Sequence, residues 1–171
     1  WGTFVLCVGR IESRKNQHRL LRALRASEVR VVMIGRKGHR PYFEEVRRAM
    51  KPGDVLIEEV DQHELKHHYA AAQVLVLPSL YETPGLASLE AGAMGCNVVS
   101  GSIGSQTEYF GDMVDWCDPY EESSIAAAVS RALARDWPNR VLSRHILGHY
   151  TWAVAAEQTL EAYTLLLGRR L

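Results

Sequence analysis

Two glutamates eight residues apart, Glu82 and Glu90, flank a Pro-Gly turn in the stretch LPSLYETPGLASLEAGAMGC, from Leu77 to Cys96. An ionised carboxylate accepts hydrogen bonds and donates none, so such a pair suits a ligand rich in hydroxyls. The stretch reads as the end of an apolar strand, QVLVLPS, then a loop of Ser, Pro and Gly, then a helix from near Ala87 with Glu90 on its first turn. That order turns main-chain N–H groups and the positive end of a helix dipole toward the space above the loop. An anion is the natural guest, and a ligand with hydroxyls on both sides of its phosphates has the shape of a sugar nucleotide. Two cations, Arg10 and Lys15, lie between the first apolar run and the first helix, where a solvated helix face does not account for them as it does for Arg19, Arg22 and Arg25.

The elements that must position these residues alternate along the chain. Phe4 to Val8, Val29 to Ile34, Val55 to Ile57, Val74 to Leu77, Asn97 to Ser100 and Val114 to Cys117 read as strands. Helices are expected over Asn16 to Ala26, with Leu20, Leu21 and Leu24 inward, and over Tyr42 to Met50, opened by Pro41. Asp61 caps the next, through Ala72, with Leu65 and Tyr69 toward the core. Thr107 to Phe110, Glu122 to Ala134 and Arg140 to Tyr150 follow, and Thr151 caps Trp152 to Leu167 before Arg169 and Arg170. Continuous apolar strands separated by helices predict a doubly wound, Rossmann-like α/β fold: a mostly parallel six-stranded sheet in the order 3-2-1-4-5-6, covered by helices on both faces. Ligands of such folds bind beyond the C-terminal strand ends, and the loops at Gly9, Gly35, Asp61, Glu82 and Gly104 share that edge.

A chain of 171 residues, 47% of them hydrophobic, supports one core and hence one domain. Its 20 basic and 20 acidic side chains cancel, which gives no electrostatic case for nucleic acid or a membrane. The distribution is uneven: residues 1 to 40 hold ten Lys or Arg against Glu12 and Glu28, so one end of the fold attracts anions. Cys7, Cys96 and Cys117 are odd in number and each adjoins an apolar run, as expected of core thiols in a reducing, cytoplasmic compartment. The opening WGTFVLCVG enters a strand without a lead-in, which reads as a domain excised from a longer protein.

Four segments together resemble family 4 glycosyltransferases: VGRIESRKNQHRLLRAL, MIGRKG, ELKHHYAAAQVLVLPSLYETPGLASLEAGAMGCNVV and the later CDP. The resemblance is to the C-terminal, donor-binding domain of their two-domain GT-B fold, over nearly all of residues 1–171. It implies that Arg10 and Lys15 contact the donor diphosphate, that Glu82, first of an E-x7-E pair, holds sugar hydroxyls, and that Glu90 accepts from ribose. Gly9, Gly35, Gly85, Leu86 and Ala87 complete the implied donor-binding set, with Arg10, Lys15 and Glu82 as its catalytic members. It further implies a retaining, metal-independent hexosyltransferase with no cofactor, the nucleotide-diphospho-sugar being substrate. The acceptor, a carbohydrate or a lipid-linked one, would be held by an N-terminal domain, against which the last helix packs and through which any contact with the inner face of a membrane would be made. Pro84, where the family more often has an aromatic residue, and Ser105, where a second Gly is usual, depart from the pattern.

Three other readings compete. His63 to His67 spell HELKH, a match to the zinc-protease helix H-E-x-x-H, but no third ligand has an evident source and Leu65 and Tyr69 already give that helix a core face. A dinucleotide-binding domain needs G-x-G-x-x-G after the first strand, and no glycine follows Gly9 until Gly35. A module that binds nucleotide and performs no chemistry is compatible with every residue above.

Overall fold

The computed structural model describes residues 4–168. The expected Arg169 and Arg170 tail and the opening WGT lie outside the described residues. Six strands form one parallel sheet in the order β3-β2-β1-β4-β5-β6: β1 (Phe4–Val8), β2 (Arg30–Ile34), β3 (Val55–Ile57), β4 (Val74–Leu77), β5 (Asn97–Gly101) and β6 (Asp115–Cys117). β4 reads VLVL and is buried at every position, as a central parallel strand covered on both faces must be. Full burial of each such side chain contributes about 1.5–3 kcal/mol. β3, at the sheet edge, is partly exposed and short.

The helices are α1 (Gln17–Ala23), α2 (Arg40–Ala49), α3 (Gln62–Ala71), α4 (Leu86–Ala93), α5 (Gln106–Phe110), α6 (Glu122–Ala134), α7 (Arg140–His149) and α8 (Trp152–Leu167). α1 packs against α2 and α6, while α4 packs against α3 and α7, which gives the two helical layers. Asp61 accepts from His63 N–H at 2.6 Å and Thr151 from Val154 N–H at 3.3 Å, so both expected caps are present. α1 ends three residues before the expected Ala26, because Lys51 Nζ donates to the carbonyls of Leu24 and Ser27 and draws the chain out of the helix. Two 3-10 turns, Ser13–Lys15 and Gly111–Met113, stand where loop and strand entry were expected.

One core spans both sheet faces, and a smaller cluster of Val98, Phe110, Val114, Leu142 and Ile146 seats α7. The closeness of α4 and α7 explains Gly92, where a Cβ would stand 2.5 Å from Ile146 Cδ1. α8 has no buried residue, and Trp152, Leu165, Leu166 and Leu167 are each more than 70% exposed. No helix among the described residues is long and apolar enough to cross a membrane.

Candidate functional site

β1 and β4 are neighbours at the centre of the sheet, and from them the strand order runs outward in opposite directions. Such a reversal of strand order is where open α/β sheets bind ligands, beyond the C-terminal strand ends. Asn16 binds three of these edge loops together. Its backbone is left-handed, at φ 61°, a conformation Asn tolerates better than most residues. Its buried amide donates to Pro78 O after β4 at 3.0 Å and to Pro119 O after β6 at 2.7 Å. Leu80 N–H to Arg14 O at 2.8 Å, and Arg14 Nη1 to Tyr81 O at 2.8 Å, add two more ties between the β1 and β4 loops. Sequence reasoning missed Asn16; the readable signal was a Lys-Asn pair just before an amphipathic helix.

This fastening brings Lys15 to Glu82. Lys15 Nζ donates to Glu82 Oε2 at 2.6 Å, Ser79 Oγ donates to the same oxygen at 3.0 Å, and Arg14 Nη1 lies 3.6 Å from it. Both side chains are largely buried, at 13% exposure for Lys15 and 7% for Glu82. Glu82 Oε1 accepts from no described residue, and the Lys15 ammonium has used one of its three donors. Gly9 lies against Lys15, where a Cβ would meet the lysine Cε in ordinary contact at 3.5 Å, and its φ of 147° is what calls for glycine. Gly35 is a glycine of close approach: a Cβ would fall 2.0 Å from Gly9 O, so it lets the β1 and β2 loops meet. Arg10 is exposed and its guanidinium pairs with no described residue. Only its carbonyl is held, by Gln17 Nε2 at 2.9 Å.

Glu90 stands apart from this set. α4 starts at Leu86, so Glu90 lies on the second turn rather than the expected first, beyond the reach of the dipole effect that a first-turn carboxylate enjoys. Its Oε2 accepts from Tyr69 Oη at 2.8 Å, and no hydrogen bond or ion pair joins it to Arg10 or Lys15. It borders two cavities. One, of about 390 Å3, runs from Pro84 and Leu86 to Tyr150 and Trp152; the other, of about 260 Å3, lies between α3 and α4 beside Gln62 and Lys66. Pro84 therefore sits on the wall of the larger cavity.

Gly85 caps α4 in the left-handed region, at φ 71°, where a Cβ would strike Gln106 Nε2 at 2.0 Å. The first bond of the helix runs from Ser88 N–H to Gly85 O at 2.9 Å, which leaves the N–H groups of Leu86 and Ala87 ahead of it. The loop after β5 closes on this turn through a bridge between Glu82 and Gly104, and Ser105 N–H donates to Glu82 O at 3.3 Å.

In HELKH, His63, Glu64 and His67 point into solvent, Leu65 packs on the core, and Tyr69 beyond them is buried. No group of three metal-ligating side chains occurs among the described residues. Cys7, Cys96 and Cys117 are buried free thiols, each pushed up to about 12 by burial first of all.

Fold and site together define a Rossmann-like α/β domain with carboxylates and cations in the loops beyond the C-terminal ends of its central strands. The model of the family described as glycosyl transferases group 1 matches residues 2–150, and the chain belongs to that family. An uncharacterized glycosyltransferase of Methanocaldococcus jannaschii is 31% identical over 94% of this chain and 44% of its own length. The O-antigen chain mannosyltransferase B of Escherichia coli is 32% identical over 97% of this chain and 47% of its own length. The chain thus spans under half the length of either relative. Among solved structures, sucrose-phosphate synthase from Thermosynechococcus elongatus superposes with a TM-score of 0.81 at 25% identity, over 97% of this chain and 46% of its own. A glycosyltransferase from Rickettsia africae superposes with a TM-score of 0.82 at 16% identity, over 96% of this chain and 48% of its own, a likeness of fold.

Proposed function

We propose that this chain is the donor-binding half of a retaining, metal-independent hexosyltransferase that takes a nucleotide-diphospho-sugar. The observation that carries the reading is the Lys15–Glu82 pair beyond the ends of the two central strands, buried yet with the second carboxylate oxygen and two ammonium donors unspent. A diphosphate would lie against Lys15 and Arg10, with the Leu86 and Ala87 N–H groups adding donors at the turn. Glu82 Oε1 would accept from sugar hydroxyls, and Glu90 Oε1 from ribose. As the bond from the sugar's anomeric carbon to the diphosphate oxygen breaks, negative charge grows on the departing diphosphate, and the two cations stabilise it. The acceptor hydroxyl attacks from the face that the diphosphate leaves, and its proton passes to a departing phosphate oxygen. Glu82, tied to Lys15, takes no nucleophile role in this scheme.

The membership in the glycosyl transferases group 1 and the similarity to a mannosyltransferase support transfer of a hexosyl group. The acceptor, carbohydrate or lipid-linked, would be held by an N-terminal domain, and the exposed apolar face of α8 is the surface we assign to contact with it. Buried thiols fit a cytoplasmic setting. Calorimetric titration with UDP, GDP, ADP and NAD tests the reading. One nucleoside diphosphate binding in preference to NAD, more weakly as salt rises, supports it; no binding by any of the four sinks it. Acceptor-dependent transfer by the two-domain protein then separates a transferase from a module that only binds.

A further inference from the structure

We infer that Tyr69 is a positioning residue, fixing the Glu90 carboxylate so that the chain discriminates in favour of ligands with an intact ribose diol. This rests on the donor-site reading above. Tyr69 comes from α3 and Glu90 from α4, and the phenol donates to Glu90 Oε2 at 2.8 Å. It is the only side-chain hydrogen bond that carboxylate makes among the described residues. A glutamate at this place would otherwise swing about its side-chain torsions and lose that freedom only on binding.

The tyrosine cannot swing with it. Its residue is 3% exposed and belongs to the main core, and Leu65, one turn earlier on the same helix face, packs there too. Its backbone carbonyl accepts from Cys96 Sγ at 3.0 Å, which anchors the end of α3 to the start of β5. Burial, and after it the charge of Glu90, push the Tyr69 phenol well above its ordinary value, so it remains a donor throughout the working pH range. With Oε2 held by the phenol, Oε1 is left without a side-chain donor among the described residues, and Glu90 lines two cavities that could admit a ligand to it. One oxygen is thus spent on orientation and the other kept for the ligand, an economy of preorganisation rather than of added contacts.

The test compares the unaltered chain, Tyr69→Phe, Glu90→Gln and the double variant, each titrated with ADP, GDP and UDP. The tightest of these is then compared with its 2′,3′-dideoxy analogue and with inorganic pyrophosphate. Phenylalanine keeps the buried ring and removes only the hydroxyl. Tyr69→Phe should weaken the ribonucleotide by about three- to tenfold, the range of a single net hydrogen bond, and leave the dideoxy analogue and pyrophosphate unchanged. In the Glu90→Gln background it should cost nothing further, because the group it orients is already altered. Equal weakening of all three probes would mark a merely structural role and overturn the inference. So would an unchanged ribose preference in Tyr69→Phe, an additive double variant, or an unaltered chain that does not distinguish ribose from dideoxyribose. Failure of the unaltered chain to bind any nucleoside diphosphate overturns the donor-site reading itself, and the inference with it.

Discussion

Glu82 and Asp115 are the two buried acidic side chains of this domain among the described residues, and they are used in opposite ways. Asp115, at the start of β6, is saturated: Arg131 Nε donates to Oδ1 at 3.1 Å and Arg135 Nε to Oδ2 at 2.6 Å. Those guanidiniums come from the last turn of α6 and the residue that caps it and reach solvent, so the group ties α6 to the sheet and leaves neither oxygen without a protein donor. Glu82, at the opposite edge, receives Lys15, Ser79 and Arg14 all at Oε2 and keeps Oε1 free of described donors. Glu90 shows the same one-sided use, with Tyr69 on Oε2. A buried charge is stabilised once it is paired and hydrogen-bonded. A second unspent oxygen goes beyond that need, and this is how the two carboxylates that we assign to the donor differ from Asp115.

The comparison is broken or sharpened first at Lys15. Lys15→Ala should weaken nucleoside diphosphate binding by about tenfold to a hundredfold, since hydrogen bonds to charged groups contribute about 1.5–3 kcal/mol. It should also lower stability, because Glu82 stays buried with only Ser79 and a longer Arg14 contact. Calorimetry and urea unfolding on the same preparation read both. If affinity is unchanged while the fold is intact, the diphosphate is held elsewhere.

Arg10→Ala should cost about tenfold in the same titration and nothing measurable in urea, because the side chain is exposed and pairs with no described residue. A drop in unfolding midpoint would show that Arg10 is a structural cation after all. Asp115→Asn should give the reverse pattern: about 1–2 kcal/mol less stability and no change in nucleotide affinity. Should it weaken nucleotide binding as much as Lys15→Ala does, the distinction between saturated and half-used carboxylates would collapse.

The smallest effect is expected from the thiol beneath Lys15. Burial, eased a little by the Lys15 charge, lifts Cys7 from 9.0 to about 12. A thiol whose folded value is raised contributes stability that is complete below pH 9 and is lost as pH climbs from about 9 toward 12, since the unfolded chain ionises first. At pH 8 the native chain should therefore resist a thiol-specific disulfide reagent until urea unfolds it, and urea midpoints should fall above pH 9. Rapid labelling of Cys7 in the native chain would show the end of β1 to be more open than its burial and the Lys15–Glu82 pair describe.

Much of this was written locally. The strands at Phe4–Val8, Val55–Ile57 and Val74–Leu77 and the helices at Glu122–Ala134 and Trp152–Leu167 stand at the residues that apolar periodicity and caps indicate. Such patterns need only neighbours along the chain to be read. The departures have nonlocal causes: Lys51, from the turn before β3, ends α1 early, and Gly85, lodged against Gln106, starts α4 one residue sooner and moves Glu90 to its second turn.

By itself the sequence determined the order of strands and helices, the loops that share the ligand edge, and the residue types on them, because turn chemistry and side-chain spacing are local properties. Only the tertiary structure decided which oxygens those loops leave unspent. Lys15 and Glu82 are 67 residues apart, Asn16 and Pro119 are 103, and Tyr69 and Glu90 sit on different helices. The first and third exist because parallel crossovers place β1 beside β4 and α3 beside α4, and Asn16 reaches Pro119 where α1 packs on α6. Whether a carboxylate is saturated or half-used depends on every donor that the fold brings within about 3 Å, and no spacing along the chain encodes that set.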